Sequence, residues 1–399
     1  MKFRLIFKII LLLSVCLPGL LAAKDYTDAL KFIGNPYLNR YATPEQAYAR
    51  NIWNMQVFDH KIFLAAGNSS NRGPASNAGP VPIMTLDPAT DQFAEEGQVN
   101  DEQIGSFVIL NKQLTIPGHD PREDWSAGNY YQRLEKGFWL KTRNIPNALH
   151  NYAMVEHGGI WFAGLGLNDG GAIVASYDQG KTWKTSLQTS ARVYNFFQAD
   201  KKLYAVNSLK VEDGGVFIFE HHDDQGFVAR GDLTPKVMFP ETELISKKKL
   251  KIIRAQSFKN QLIYIGAYAH NDHQDLPFGV YFAESLSSGK LNIKKVTLPE
   301  TSIPWDILQD AQQLFILASA DDIYHPPITN YVFRASLSKV PEFSTHVQFS
   351  AESFARSFEW VNQTFYFGLG AEIANSTRWN VSELSSHAGD ILKLKPVIQ

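Results

Sequence analysis

The chain is expected to be all-β, a seven-bladed β-propeller of four-stranded antiparallel blades closed by an N-terminal strand. Three observations predict this. First, a short apolar strand recurs seven times: HKIFLAAG at 60–67, NKQLTIPG at 111–118, GGIWFAGLG at 158–166, KKLYAVN at 201–207, NQLIYIG at 260–266, QQLFILAS at 312–319 and NQTFYFGLG at 362–370. Its anchors Ile62, Leu114, Ile160, Leu203, Leu262, Leu314 and Phe365 lie 52, 46, 43, 59, 52 and 51 residues apart. Repeats of roughly 40–50 residues built from short strands are the mark of propeller blades. Second, Gly-, Pro-, Asn- and Asp-rich connections separate the strands, and no long segment carries a helical period. Third, the last repeat ends near GDILKLKP (389–396), one strand short, while ALKFIG (29–34) is free to supply it. Such pairing removes an open sheet edge that invites aggregation.

Taken in chain order, the first element is a leader. Lys2, Arg4 and Lys8 precede an apolar run from Ile9 to Leu21, followed by Ala22-Ala23. That is the layout of a secretory signal peptide over 1–23, and the run is shorter than the about 20 residues of a membrane span. The only cysteine, Cys16, lies within it, so the chain from 24 to 399 has no disulfide and rests on its apolar core. The segment carries three basic and no acidic residues, leaving 35 basic against 40 acidic side chains after cleavage. That balance argues against nucleic acid or an anionic membrane as partner. No integral membrane segment is expected after cleavage, and the predicted location is secreted or periplasmic.

The repeat divides residues 24–399 into blades at about 46–99, 100–145, 146–188, 189–232, 250–298, 301–349 and 352–396. Residues 233–249, with Pro235, Pro240 and Lys247-Lys248-Lys249, fall outside it and are expected to form a surface excursion. Strands apolar at successive positions, such as IWFAG, fit sheets covered on both faces.

Residues 176–183 read SYDQGKTW. Asp178 in such a turn can accept backbone N–H bonds, Gly180 can take a positive φ and Trp183 can pack on the sheet edge. The octet resembles the Asp-box (BNR repeat) of sialidases and related propellers, with Ser176, Asp178, Gly180, Thr182 and Trp183 at its characteristic positions. That resemblance implies a folding element away from the catalytic face, in a group spanning sialidases, other glycan-active enzymes, assembly factors and sorting receptors. Two departures speak against a true sialidase. No Arg-Ile-Pro strand stands near the N-terminus, and VNSLKVEDGGVF (206–217) and FEHHDDQGF (219–227) are degenerate where a second box would fall.

In a propeller, the loops entering the inner strands converge with the second-to-third strand loops on one channel mouth, where ligands collect. The inner-strand starts place Arg50 and Trp53, His150 and Tyr152, Arg192 and Tyr194, Arg254, Trp305 and Asp306, and Arg356 there. Arginines around one mouth can clamp a carboxylate or sulfate, with His150 and Tyr194 as proton-transfer groups. They can equally stitch blades together through backbone carbonyls. The second-blade loop GHDPREDWSAGNYY (118–131) adds His119, Asp120, Arg122, Glu123, Asp124 and Trp125, in which Asp120 or Glu123 with Asp124 can serve as an acid and base pair, or the loop can simply be solvated. His270, Asp272, His273 and Asp275 in the fifth blade do not follow a strong metal-ligand spacing, and no metal is assigned. No GxGxxG, P-loop, HExxH or GxSxG is present, and no cofactor is expected. Sequons stand at Asn68, Asn362, Asn375 and Asn380.

These features predict an exported propeller that binds an acidic glycan or another extracellular ligand at its channel mouth. Two alternatives stay open. One is a carbohydrate-active enzyme, either a sialidase-like hydrolase or a uronate polysaccharide lyase. The other is a protein-interaction scaffold.

Overall fold

The seven anchors all fall in the second strand of a blade. In a computed structural model covering residues 24–69, 77–269, 275–310, 313–336, 340–372 and 386–396, those strands are Lys61–Ala65, Gln113–Pro117, Ile160–Gly166, Lys202–Asn207, Gln261–Ala269, Gln313–Ser319 and Thr364–Leu369. Each is paired on both sides within its sheet, and neighbouring blades cover its faces. Ile62, Leu114, Leu203, Leu262, Leu314 and Phe365 are accordingly fully buried. A side chain of that size stabilises by roughly 1.5–3 kcal/mol when taken out of water. The leader at 1–23 lies outside the described residues, as do His270, Asp272, His273, Asn375 and Asn380.

The seven sheets are antiparallel and follow one another around the ring as a seven-bladed β-propeller. Ring closure follows the expectation. Lys31–Gly34 is the outermost strand of the seventh blade, pairing Lys31 with Lys393 and Phe32 with Leu392. Asn35 reinforces the junction by donating to the Ala388 carbonyl at 2.8 Å and to Asp390 at 2.9 Å.

Two boundaries differ from expectation. The strand Asp101–Gln103 does not join the second blade. It pairs with His119–Pro121, which in turn meets His150, so the third sheet has six strands. Segment 233–249 is not a simple surface excursion either. Leu233, Met238 and Phe239 are buried in the cluster between the fourth and fifth blades, anchored by the helical turn Pro235–Met238. Their apolar side chains outweigh the prolines' preference for loops, while Lys247 and Lys249 remain exposed.

Candidate functional site

A β-bulge recurs near the start of the inner strand in five blades. The register skips Tyr152, Tyr194, Ile253, Trp305 and Arg356 in the third to seventh blades. A bulge bends its strand and re-aims the extra side chain. All five skipped residues line one cavity of about 990 Å³ at the channel mouth, to which every blade contributes. The repeat therefore builds the site as well as the fold.

One side of the cavity carries a continuous stack of titratable rings. His119 is opposite both Gln103 and His150 in the sheet, which brings the two imidazoles to 5.6 Å, edge to face. His150 stacks on Tyr152 at 4.9 Å, and Tyr152 on Tyr194 at 4.0 Å. Arg192 donates to the Tyr152 hydroxyl at 2.6 Å, and the Tyr194 hydroxyl donates to the same oxygen at 3.3 Å. The Lys251 ammonium lies 4.1 Å from the centre of the Tyr194 ring.

Asp120 completes the stack. Its carboxylate lies 2.7 Å from His150 Nδ1 and 3.8 Å from His119 Nε2. The His150 contact is close, and the imidazole holds the Asp120 carboxylate in its charged form. Asp120 has φ of 57°, a left-handed conformation costing on the order of 1 kcal/mol for a non-glycine residue. Strain of this kind clusters at functional sites. Beneath the strand, buried Asp101 accepts from the His119 backbone N–H at 2.9 Å and from the Tyr131 hydroxyl at 2.9 Å, fixing the position of β-strand His119–Pro121.

The surroundings set the protonation states. Burial would raise the Asp120 carboxyl, but His150 and His119 outweigh it and hold it below its ordinary value. Burial pushes the His119 imidazole down to about 4, against Asp120 and helped by His150, Lys251 and Arg192. His119 is thus neutral at pH 7. Burial, with Tyr194 adding to it, lifts Tyr152 well above the usual phenol range, so Tyr152 keeps its proton. Ser69 Oγ lies 3.1 Å from His119 Nε2. His119, Asp120 and His150 hold their ligand atoms within 4.8 Å of one another, the one such set among the described residues that could take a metal ion.

The expected mouth residues divide into three groups. His119, His150, Arg192 and Tyr194 come together as described. Arg254, Arg356 and Trp305 line the same cavity but are engaged inside the protein. Arg254 pairs with Asp306 at 2.7 Å and donates to the Trp53 carbonyl. Arg356 pairs with buried Glu372, donates to Asn51, and lies over the Trp53 ring at 4.5 Å. Trp305 is buried, donates to Ser319 Oγ and stacks on Phe354. These arginines stitch blades, the second of the two parts expected of them. Asp306 is buried beneath the mouth. Nearby, Glu359 accepts from the Val57 N–H at 3.2 Å, and burial with the Asp306 charge pushes its carboxyl up to about 8.

The third group lies elsewhere. Arg50 is buried under electrostatic influence of Asp390 and does not line the mouth. Asp124 is exposed, capped by Ser126 and paired with Arg143 at 2.8 Å, so its expected catalytic part gives way to a turn-forming one. Arg122, Asp124 and Trp125 line a second cavity of about 510 Å³.

Ser176, Asp178, Gly180, Thr182 and Trp183 form a tight turn away from the mouth. Asp178 accepts from the Thr182 N–H at 2.8 Å and the Ser176 hydroxyl at 2.8 Å, while the Gly180 N–H donates to Ser176 Oγ at 2.7 Å. Gly180 has φ of 85°, and a Cβ there would collide with Tyr130 and Trp161. Trp183 donates to Asn144, tying the hairpin to the second blade.

Lys251 is the group in the ring stack that sequence reasoning missed, while Tyr152 was placed at the mouth and Asp120 was weighed only as a carboxylate partner of Asp124. Alternation within His150–His157 puts Tyr152 on the face of His150, a signal available in advance. The approach of Asp120 to His150 depends on strand crossing between blades and left no local trace.

No family model matches the chain, and no curated protein matches it. Among solved structures, it is similar to the GH74 enzyme of Niastella koreensis, with 11% identity and a TM-score of 0.53. That match covers 80% of this chain and 51% of the other, so the chain spans about half of that enzyme. A chain from the mitotic checkpoint complex is 8% identical, with a TM-score of 0.48 and coverage of 92% and 96%. A putative 6-phosphogluconolactonase from Bacteroides fragilis is 10% identical, with a TM-score of 0.45 and coverage of 79% and 89%. At these identities the likeness is one of fold.

Proposed function

We propose that this protein binds an acidic glycan at its channel mouth and cleaves it beside a uronate by β-elimination. The observation that carries the reading is the composition of the ring stack. It joins a His–Asp pair, two tyrosines, an arginine and a lysine, while Asp120 is the one carboxylate among the described residues that line the cavity. Most glycoside hydrolases need two carboxyl groups facing each other across the bond. Elimination needs none of that. It requires cations to neutralise the uronate carboxylate, a base for the proton beside it, and an acid for the leaving oxygen.

Arg192 and Lys251 supply positive charge. His150, oriented by Asp120, takes the proton adjacent to the carboxylate. The electron pair of that C–H bond becomes a carbon–carbon double bond as the bond to the glycosidic oxygen breaks. Tyr152, kept protonated by burial, gives its proton to the departing oxygen. The similarity to a GH74 enzyme supports a glycan-active propeller only at the level of fold. Export to the periplasm or the medium, expected from residues 1–23, would place the protein where such polymers occur.

The test is turnover of alginate, polygalacturonate and glycosaminoglycan chains, followed by the ultraviolet absorbance of the new double bond. His150→Ala and Tyr152→Phe should each lose about a hundredfold or more, and Arg192→Ala should weaken substrate use sharply. Tight binding without turnover in the wild type would reduce the reading to that of a glycan receptor. The absence of both binding and turnover would refute it.

A further inference from the structure

We propose that Trp125 and Arg122 form an outer subsite that holds the uronate chain where it leaves the mouth. The proposal rests on the acidic-glycan reading of the cavity and adds where the rest of the polymer lies. One short strand joins the two places. His119 and Asp120 line the mouth, and Pro121, Arg122, Glu123, Asp124 and Trp125, continuing the same chain, line the second cavity with Glu102. A polymer held at His119 and followed outward along this strand therefore reaches Trp125 within a few sugar units.

The chemistry of that shelf suits a sugar. Trp125 is 64% exposed, a large apolar face with no packing reason to be in water. Exposed aromatic faces stack on the C–H faces of sugars, and binding recovers the apolar area left uncovered. The ring is presented on a fixed turn. Asp124 accepts from the Ser126 N–H and hydroxyl, and Arg143 donates to both the Asp124 carboxylate and its backbone carbonyl. Preorganisation of this kind lowers the ordering cost of binding.

Cations offset the acidic side chains of the shelf. Glu123 is paired with Lys141 at 2.6 Å, and Asp124 with Arg143. Glu102 accepts from Asn77 at 2.8 Å, and burial raises its carboxyl. Arg122 shares the cavity with Glu102, whose carboxyl its charge draws down against burial, and its guanidinium is the cation on the shelf that a uronate carboxylate can meet.

The experiment compares Trp125→Ala, Trp125→Phe and Arg122→Ala with the wild type on size-graded fragments of alginate, polygalacturonate and a glycosaminoglycan. Calorimetric binding is measured beside turnover. For long fragments, Trp125→Ala should raise KM and Kd roughly three- to tenfold, the value of one aromatic stack. Trp125→Phe should recover most of this, and Arg122→Ala should weaken binding in a salt-dependent way. Dimers and trimers, too short to reach the shelf, should be unaffected in kcat and KM. If long and short fragments respond alike, or neither responds, while the wild type still binds them, the subsite is refuted and the mouth reading survives. If the wild type binds no fragment of any length, both fail together.

Discussion

Replacing Glu359 with glutamine should remove a pH dependence that the native fold carries into neutral solution. Glu359 lies on the inner strand of the seventh blade, bonded to the Val57 N–H of the first, with the Asp306 charge nearby. Burial and that charge move its carboxyl from 4.5 to about 8. Between those values the unfolded chain is ionised at this position while the native state keeps the proton. The native state then binds more protons, so stability falls as pH rises. The contribution is complete below 4.5 and gone above about 8. From about pH 5 to about pH 8, at about 1.4 kcal/mol per tenfold, the loss is about 4 kcal/mol. Glu359→Gln keeps an oxygen for Val57 and has no proton to lose. Urea unfolding followed by tryptophan fluorescence across this range should show the variant gaining on the wild type by that amount. Parallel stability profiles for the two proteins would refute the assigned environment of Glu359.

Other consequences are more local. Ser176→Ala removes the acceptor of the Gly180 N–H and should cost about 1–3 kcal/mol of stability in denaturant unfolding, with turnover at the mouth unchanged. Deleting residues 24–34 exposes the strand Ile391–Leu394 as an open edge. Light scattering should then report association or aggregation of the variant that the undeleted protein does not show. If His150 and Tyr152 alone move the protons, a chelator should leave turnover intact. Loss of turnover on chelation, with recovery on adding zinc, would turn the His119–Asp120–His150 cluster into a metal site.

The architecture was legible because each blade repeats one physical demand. Its second strand is covered on both faces, which forces runs such as IWFAG and LIYIG whose spacing reports the ring directly. Closure was legible for a similar reason, since 389–396 lacks a partner that 29–34 supplies. The crossing of Asp101–Gln103 and His119–Pro121 into the third sheet was not. Those strands are short and polar, and their pairing is decided by tertiary position. The same limit governs the site. His150, Arg192 and Tyr194 could be placed at the mouth from blade geometry alone. That Arg254 meets Asp306 and Arg356 meets Glu372 depends on contacts between positions 52 and 16 residues apart. Nothing local separates such arginines from Arg192, whose partner is a tyrosine.

If His150 removes a proton and Tyr152 supplies one, chain scission consumes no water. Mass spectrometry of the fragments from a purified uronate oligosaccharide tests this without reference to rate. The fragment masses should sum to that of the substrate, with one new end unsaturated. Fragments whose summed mass exceeds the substrate by one water would identify a hydrolase and contradict the role given to the ring stack.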